Sequence, residues 1–426
     1  MTDDAPRCTK SLMALSSTDQ IGRWVDEAMA STPVYDLHTH LYPPSFGGLM
    51  LWGIDELLTY HYLIGETIRA SGVEYETFWA MPQPRQAEFV WQTLFIDRTP
   101  LSEACRGVLT VLRRLGLDVG SRDLNQYRAF FRAQKPAEYL DKVLDAANVR
   151  TVVMTNDLFD PTEREVWLEG PVRDERFKAV LRIDPLLLGW PRVSESLAAM
   201  GYNAAPDLGA RSVAEVRRFL SEWIERMGAL YVAVSLPPTW RYPQADACTR
   251  VLDEAVLPVC RERNVPFAMM IGVARQANPR LRLAGDSLGK ADAASLQRIC
   301  AANSANKFMA TMLSRENQHE LAVAGRLFPN LLVFGCWWYV NNPNIVEEIT
   351  RMRVEMLGES FVPQHSDARV LDQLIYKWDH ARQVIAKVLK DKFADIAATG
   401  WPVTREQVAR TIADYFSGNF QSFLAR

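Results

Sequence analysis

Short apolar runs of strand length alternate with longer amphipathic segments along most of this chain. The eight runs read VYDLH (34–38), RTVVMT (150–155), KAVLRI (178–183), LYVAVSL (230–236), PFAMMIG (266–272), KFMATML (307–313), LLVFGCW (331–337) and FVPQHSD (361–367). Nearly continuous apolar character is typical of parallel strands that are buried on both faces. Eight such strands alternating with helices predict an α/β fold of the (β/α)8 TIM-barrel type. A doubly wound open sheet would alternate in the same way and is the alternative.

The segments between the runs carry helical patterns. In SVAEVRRFLSEWIERMG, Ser212 and Glu215 have the spacing of a capping box, and TREQVARTIADYF repeats that spacing with Thr404 and Gln407. Four apolar residues of the first segment fall on one helical stripe: Val216, Leu220, Trp223 and Met227.

Roughly 110 residues separate the first two runs, which is too long for a structureless loop in a compact domain. This stretch is rich in helical pattern, so we expect a helical insertion after strand 1, over about 45–145, on the rim where barrels keep their active sites. The expected domain organisation is an N-terminal helical segment at 1–33, followed by the barrel over 34–426.

Composition narrows the class of protein. The chain has 426 residues, 48% of them hydrophobic, and a net charge of −3 with acids and bases well mixed, which indicates neither a nucleic-acid nor a membrane surface. The N-terminus lacks the apolar core of a secretory signal, and the apolar runs are shorter than the ~20 residues that span a bilayer. The six cysteines are scattered without a CxxC pair, which favours reduced thiols in the cytoplasm.

The first strand carries the clearest candidate chemistry. His38 and His40 are two of only six histidines in the chain. Alternate residues of a strand face the same way, so both imidazoles are expected to project into the barrel mouth. They are either half of a divalent metal site or an incidental, hydrogen-bonded pair.

The last strand supplies a partner for this pair. Asp367 ends the run FVPQHSD, which lies beside strand one once a barrel closes. Two imidazoles and this carboxylate give three ligands with an open coordination position, as a catalytic metal site requires. His365 is two residues earlier and is either a fourth ligand, a hydrogen-bond partner of a ligand, a helper base or a polar residue on the rim.

Taken together, several motifs resemble one family. YDLHTHLYPP, HYLIGETIRASG, TND, IGVARQANP, GCWWYVNNP, SDAR and GWPVTREQVARTIADYFSGNFQSFL follow in the order and approximate spacing of the uronate (glucuronate) isomerases, which are barrel proteins of the amidohydrolase superfamily. The resemblance runs from about residue 20 to the end. It implies interconversion of alduronates and ketouronates, with one divalent metal, most often zinc, between strands one and eight.

The resemblance also assigns residues. It gives the metal ligands as His38, His40 and Asp367. The family also has matching residues around its site at Tyr62, Arg275, Trp337, Trp338 and Arg369. His61 directly precedes the matching Tyr62.

Aldose–ketose isomerisation would use these side chains as follows. Asp367 or a metal-bound water takes the proton, and the metal polarises the substrate oxygens. Arg369, Arg275 or Arg182 holds the substrate carboxylate in bidentate fashion, and Tyr62 donates to a substrate oxygen. The bland alternatives are structural ion pairs for the arginines and plain packing, rather than a sugar platform, for the two tryptophans.

The chain departs from the family pattern on two strands. Strand four ends in SLPP (235–238) where the family has Asp-His-Gly, and Met270 stands where strand five of the family has a histidine. Strands five and six contain no histidine, so we expect a single metal. Leu236 and Met270 would suit a less polar ligand than a sugar acid.

Three functions therefore compete. The first is a metal-dependent isomerase acting on a uronate or related sugar acid. The second is a mononuclear metal-dependent hydrolase, such as a lactonase, on a less polar substrate, and the third is a non-catalytic binding homologue. Retention of His38, His40, Asp367 and Arg369 together argues against decay of the site. The oligomeric state is open, with a homo-oligomer as one option.

Overall fold

The computed structural model describes residues 17–426. Seven parallel strands form one curled sheet in which each strand pairs with the next along the chain. The strands are β1 (Val34–Thr39), β2 (Val149–Asp157), β3 (Phe177–Arg182), β4 (Val232–Leu236), β5 (Phe267–Ile271), β6 (Phe308–Met312) and β7 (Leu331–Val333). The predicted α/β class and seven of the predicted strands are confirmed. A two-residue antiparallel ladder, Val273–Ala274 with Ser287–Leu288, stands apart from the sheet.

Both faces of the sheet are buried, which is why its strands are apolar along their whole length. Alternate residues pack inside the curl, and each strand contributes at least one of them: Leu37, Val153, Val180, Ala233, Ala268, Met309 and Leu332. Their neighbours in sequence pack outwards against the helices, as Val152, Val234 and Met269 do. Phe420 and Phe423 from the C-terminal helix join the inner cluster.

Helices surround the sheet. Helix α1 (Thr18–Ser31) precedes β1. Seven helices lie between β1 and β2: α2 (Ile54–Leu58), α3 (His61–Ser71), α4 (Tyr75–Trp79), α5 (Gln83–Trp91), α6 (Glu103–Arg114), α7 (Leu124–Arg132) and α8 (Pro136–Ala147). The later helices are α9 (Pro161–Glu169), α10 (Asp184–Leu188), α11 (Val193–Ala199), α12 (Ala210–Met227), α13 (Ala247–Val251), α14 (Leu257–Glu262), α15 (Ala293–Ala302), α16 (Gln318–Leu327), α17 (Pro343–Leu357), α18 (Gln373–Ala398), α19 (Arg405–Ala413) and α20 (Asn419–Ala425).

One of the two predicted capping boxes forms. Thr404 and Gln407 cap α19 reciprocally, as predicted. The prediction for Ser212 and Glu215 is wrong, because α12 already begins at Ala210. These two side chains instead accept hydrogen bonds from backbone N–H groups of the preceding loop, at 2.8 Å in both cases. The predicted stripe of α12 is buried, with Val216, Leu220, Trp223 and Met227 among its buried residues.

The predicted eighth strand, 361–367, is not a regular strand. Val362 makes a single parallel bridge to Phe334. At the other edge, the N–H of Asp367 donates to the carbonyl oxygen of His38 at 3.1 Å. This segment, which we term the closing segment, therefore has backbone hydrogen bonds to the end of β7 on one side and to β1 on the other.

Side chains replace the missing ladder of the closing segment. Pro363 has no N–H to donate. The N–H of Ser366 donates to the carboxylate of Asp36 on β1 at 3.0 Å, and the same carboxylate accepts from the indole of Trp378 at 2.8 Å. The segment 361–367 does not show in its own sequence that side chains would form these bonds. The prediction therefore gave it a regular backbone ladder that it does not have.

Within residues 17–426, no helix combines the length and apolarity needed to cross a bilayer. The cysteines of this range are free thiols: Cys105, Cys248, Cys260, Cys300 and Cys336. Cys8 and the N-terminal stretch on which the prediction of no secretory signal rests lie outside the described residues.

A buried carboxyl group ties α9 to the end of β2. Glu163 accepts hydrogen bonds from the hydroxyl of Tyr42 (2.9 Å), the N–H of Asp157 (2.9 Å) and the amide of Asn156 (2.6 Å). Burial nevertheless raises the pKa of Glu163 from 4.5 to about 7. Between these two values the folded chain holds a proton that the unfolded chain has released, so stability falls as pH rises through this range.

We therefore expect Glu163→Gln, which cannot ionise, to flatten this pH dependence. Each pKa unit is worth about 1.4 kcal/mol, so the free energy of unfolding should lose about 2–3 kcal/mol less than wild type between pH 4.5 and 7.5. Denaturant unfolding at both pH values measures the difference. Glu165→Gln, on an exposed residue of the same helix, is the control and should behave as wild type. An unchanged slope in Glu163→Gln would contradict the assignment.

Candidate metal centre and active site

Three predicted side chains converge at the end of the inner core. His38 lies on β1 and His40 directly follows it as the next alternate residue, and Asp367 ends the closing segment. The Oδ1 atom of Asp367 lies 3.4 Å from Nε2 of His40 and 4.0 Å from Nε2 of His38. One ligand atom from each of the three lies within 4.8 Å of the others. This spacing allows all three to reach a single cation.

The backbone holds Asp367 in an unusual conformation. Its φ is +50°, in the left-handed region that non-glycine residues seldom adopt. The buried ammonium of Lys377 donates to the carbonyl oxygens of Ser366 (2.5 Å) and Asp367 (3.3 Å). Together with the bond from Ser366 to Asp36, these contacts fix the turn that aims the Asp367 carboxylate at the histidines.

The protonation states suit metal ligation. Burial lowers the pKa of both His38 and His40, which keeps the imidazoles neutral. Burial alone would raise the pKa of Asp367, but the close approach of Nε2 of His40 and the positive charge of Lys377 hold that pKa well below its usual range. Two neutral imidazoles and one carboxylate form a donor set that Zn²⁺ and related divalent cations accept.

Unpartnered atoms point the same way. Oδ1 of Asp367 and both ring nitrogens of His365 are buried without a hydrogen-bond partner among the described residues. Buried polar atoms are nearly always paired, so this concentration of unpaired atoms fits a site completed by a cation or ligand. The residues present therefore fit the single metal that the sequence predicts.

His365 is buried beside His38 and is not exposed on the rim. Its side chain is fully buried, and its ring centre lies 5.5 Å from that of His38. A Cβ atom at Gly335 would come within 1.7 Å of its Nδ1, and Gly335 also has a φ of +63°, so only glycine fits there. The interpretation of His365 as a polar rim residue is therefore wrong, and its role at the ligands stays a prediction.

The three clustered side chains open into a polar pocket. Six further predicted site residues line it: His61, Arg182, Arg275, Trp337, Trp338 and Arg369. Thr155, Ser235 and Asp286 add polar groups to the same wall. The pocket therefore offers many hydrogen-bond partners to a polyhydroxylated ligand.

Tyr62 is the predicted residue that lines a different space. It borders an adjoining cavity on the far side of Trp338, whereas Tyr60 lines the metal pocket. The rings of Tyr60 and Tyr62 lie 4.9 Å apart, centre to centre. Tyr60 directly precedes α3. It is the first tyrosine of the run Tyr60-His61-Tyr62, whereas the prediction named only the second.

The three pocket arginines differ in what already occupies them. Arg182 forms a bidentate ion pair with Asp184, with both bonds at 2.8 Å. Arg275 pairs with Asp286 at 2.5 Å and is half exposed. Among residues 17–426, Arg369 forms no ion pair, so its guanidinium group is the one most available to an incoming carboxylate.

The tryptophan pair divides between packing and pocket wall. Trp337 is 4% exposed and belongs to the inner core cluster. Trp338 has a φ of +46°, stacks on Tyr339 and meets the ring of His61 edge to face at 5.4 Å. The indole nitrogen of Trp338 and Nε2 of His61 are buried without a partner among the described residues, so both are available to a ligand.

The expected apolar wall forms only in part. Met270 lines the pocket, as expected. Leu236 does not, because it faces the outer helices and is fully buried there. Ser235 takes the place in the pocket instead, since adjacent strand residues face opposite sides. The pocket is consequently more polar than the sequence suggested.

The chain has a structural relative with high sequence identity. The crystal structure of a uronate isomerase from Bacillus halodurans C-125 superposes with a TM-score of 0.95, at 52% identity, over 97% of this chain and 98% of that chain. No protein-family model and no curated protein sequence matches the chain.

Two more distant structures share the fold. A uronate isomerase from Thermotoga maritima has a TM-score of 0.77 at 15% identity, covering 96% of this chain and 98% of that one. A glucuronate isomerase from Caulobacter crescentus has a TM-score of 0.77 at 13% identity, covering 97% and 96%. Likenesses at such low identity establish the fold alone.

Proposed function

The chain belongs to the uronate isomerase family, and from that premise we propose that it interconverts alduronates and ketouronates at the pocket described above. The observation that carries this proposal is the convergence of His38, His40 and Asp367 at the base of a polar pocket that also holds Arg369. A pocket rich in hydrogen-bonding groups discriminates against ligands that leave those groups unpaired. Its walls therefore suit a sugar acid better than an apolar lactone.

Asp367 is the proposed base. Its pKa lies below the usual range, so the carboxylate is ionised at physiological pH, which is the form that a general base requires. Isomerisation requires removal of a proton from the hydroxyl-bearing carbon beside the aldehyde and its return to the former aldehyde carbon, while the hydroxyl proton of the first of these carbons moves to the aldehyde oxygen. A single carboxylate at the pocket base can serve both positions through an enediol-like intermediate.

The remaining pocket residues bind and orient the substrate. Arg369 holds the carboxylate of the uronate through its fork of N–H groups. Trp338 donates its unpartnered indole N–H to a substrate hydroxyl, and the unpartnered Nε2 of His61 exchanges a hydrogen bond with another. Tyr62 and the more directly placed Tyr60 are the proposed hydroxyl donors on the side of α3.

We propose that His38, His40 and Asp367 hold one divalent cation, and that this cation is zinc. The buried ring of His365 lies beside the ring of His38. When bound, such a cation supplies electrostatic polarisation of substrate oxygens. β5 and β6 carry no histidine, which limits the site to one metal.

The proposal also covers the domain organisation of the chain. We propose that the closing segment occupies the position of the eighth strand in a (β/α)8 barrel, because it has backbone hydrogen bonds to the end of β7 and to β1. Residues 1–33 would then form an N-terminal segment, residues 34–426 the barrel, and residues 45–145 its helical insertion. A cytoplasmic location and a homo-oligomer remain predictions from the sequence.

The test is an assay of the purified, metal-loaded chain with glucuronate, galacturonate and a panel of sugar-acid lactones. We expect at least one uronate to be converted to its ketouronate. Chromatography of the reaction products detects this conversion. Cleavage of lactones without aldose–ketose turnover would instead select the hydrolase. A chain that binds uronates without converting them would select the non-catalytic homologue.

A further inference from the structure

A buried hydrogen-bond chain surrounds the ring of His38. Tyr231, which directly precedes β4, is fully buried, and its hydroxyl lies 2.7 Å from the carbonyl oxygen of Leu37 and 3.0 Å from Nδ1 of His38. A carbonyl oxygen can only accept, so the single phenol proton is given to Leu37. Toward His38 the phenol oxygen can therefore only accept, and Nδ1 of His38 must carry the hydrogen.

The opposite ring nitrogen receives no proton from its neighbour. Nε2 of His38 lies 3.4 Å from the hydroxyl oxygen of Thr155. That hydroxyl gives its proton to the carbonyl oxygen of Thr39 at 2.7 Å. A neutral imidazole carries one N–H, which here is on Nδ1, so Nε2 keeps its lone pair. This lone pair belongs to the atom that lies 4.0 Å from Oδ1 of Asp367.

We propose that Tyr231 is a positioning residue that fixes His38 as the Nδ1–H tautomer and so presents Nε2 to the cation before the cation arrives. This inference rests on the proposed metal site. Ligating histidines generally donate their second ring N–H to a fixed acceptor, which sets the tautomer and the ring orientation. Here the acceptor is the phenol of Tyr231, just before β4, whose own proton is donated to the strand that carries His38.

Burial holds this arrangement in place. The ring of Tyr231 packs edge to face on Phe420, with the ring centres 6.2 Å apart, inside the inner core cluster. The hydroxyl oxygen therefore cannot turn to another donor without unpacking that cluster. Removing the hydroxyl by Tyr231→Phe keeps the ring and its packing, so the tautomer is tested without a large cavity.

The first experiment is nitrogen NMR of metal-free protein carrying ¹⁵N-labelled histidine. The signals of His38 are assigned by their loss in His38→Gln. We expect wild type to show the Nδ1–H tautomer at His38, and Tyr231→Phe to lose that preference. An Nε2–H tautomer in wild type, or an unchanged tautomer in Tyr231→Phe, would overturn the proposal.

The second experiment measures zinc affinity by competition with a chelating dye. We expect Tyr231→Phe to bind Zn²⁺ about 10- to 100-fold more weakly than wild type. Tyr35→Phe is the matched control, because the Tyr35 ring packs on the same Phe420 at 5.6 Å, while the hydrogen bonds of His38 run to Tyr231 and Thr155. Equal weakening in the two variants, or none in Tyr231→Phe, would mean that the hydroxyl has no role in positioning.

The two experiments separate this inference from the proposed function. Wild-type protein that binds no zinc would refute the metal site, while the tautomer of His38 in metal-free protein would still be measured. Conversely, wild-type protein that binds zinc tightly and shows an Nε2–H tautomer before metal addition would refute only the role of Tyr231.

Discussion

Asp367→Asn is expected to lower kcat for uronate isomerisation by about 10²- to 10⁴-fold, the contribution typical of a positioned general base. The amide has nearly the shape of the carboxylate, but it cannot take up a proton at the pH of the assay. It also replaces the one anionic ligand among the three, so we expect weaker metal binding as well. Steady-state kinetics and metal analysis of the purified variant measure the two effects.

A second acid of the same pocket provides the control. Asp286 also lines the pocket and pairs with Arg275. Asp286→Asn should keep the metal content of wild type, because Asp286 is not among the three clustered ligand residues. If Asp367→Asn turned over uronates at the wild-type rate, Asp367 would be neither base nor essential ligand.

Arg369→Lys is expected to raise KM for uronates by about 10- to 100-fold. Lysine keeps the positive charge but loses the planar fork that grips a carboxylate at both oxygens. Charge-assisted hydrogen bonds are worth about 1.5–3 kcal/mol, and each 1.4 kcal/mol corresponds to a factor of ten. Initial-rate kinetics over a range of uronate concentrations gives KM and kcat separately.

Arg182→Lys serves as the matched comparison. The fork of Arg182 is already engaged by Asp184 through two bonds of 2.8 Å, so we expect a smaller rise in KM. A large effect at Arg182 with little effect at Arg369 would reverse the assignment of the carboxylate-binding arginine.

The strand period explains what could be predicted about the site. His38 and His40 share a face because strand side chains alternate, and the apolar runs on both sides of them place that strand inside the fold. The same rule would have placed Leu236 outside the pocket and Ser235 inside it. The expected apolar wall followed from residue type alone and left out this alternation.

Helix geometry explains the placement of the tyrosines. Tyr60 and Tyr62 are two positions apart at the start of α3, and residues at that spacing in a helix do not face the same side. One of them therefore had to point away from the metal pocket. Which one does so depends on how α3 packs against the barrel rim, and a single sequence does not contain that information.

Contacts between distant positions were beyond prediction. The hydrogen bond between Tyr231 and His38 joins residues 193 positions apart, and the one between Ser366 and Asp36 joins residues 330 positions apart. Neither pair has a local sequence pattern, because each arises only when the sheet has curled. The regular eighth strand was predicted wrongly for the same reason, since long-range side-chain bonds of Asp36 and Trp378 replace its ladder.

The most direct test of the metal site is a titration of metal-free protein with Zn²⁺ while uronate isomerisation is measured. We predict no turnover without metal, a linear rise in rate with added metal, and saturation at one equivalent per chain. His38→Ala should stay inactive throughout the titration. Full turnover by metal-free protein, or saturation at two equivalents, would contradict a single cation held by His38, His40 and Asp367.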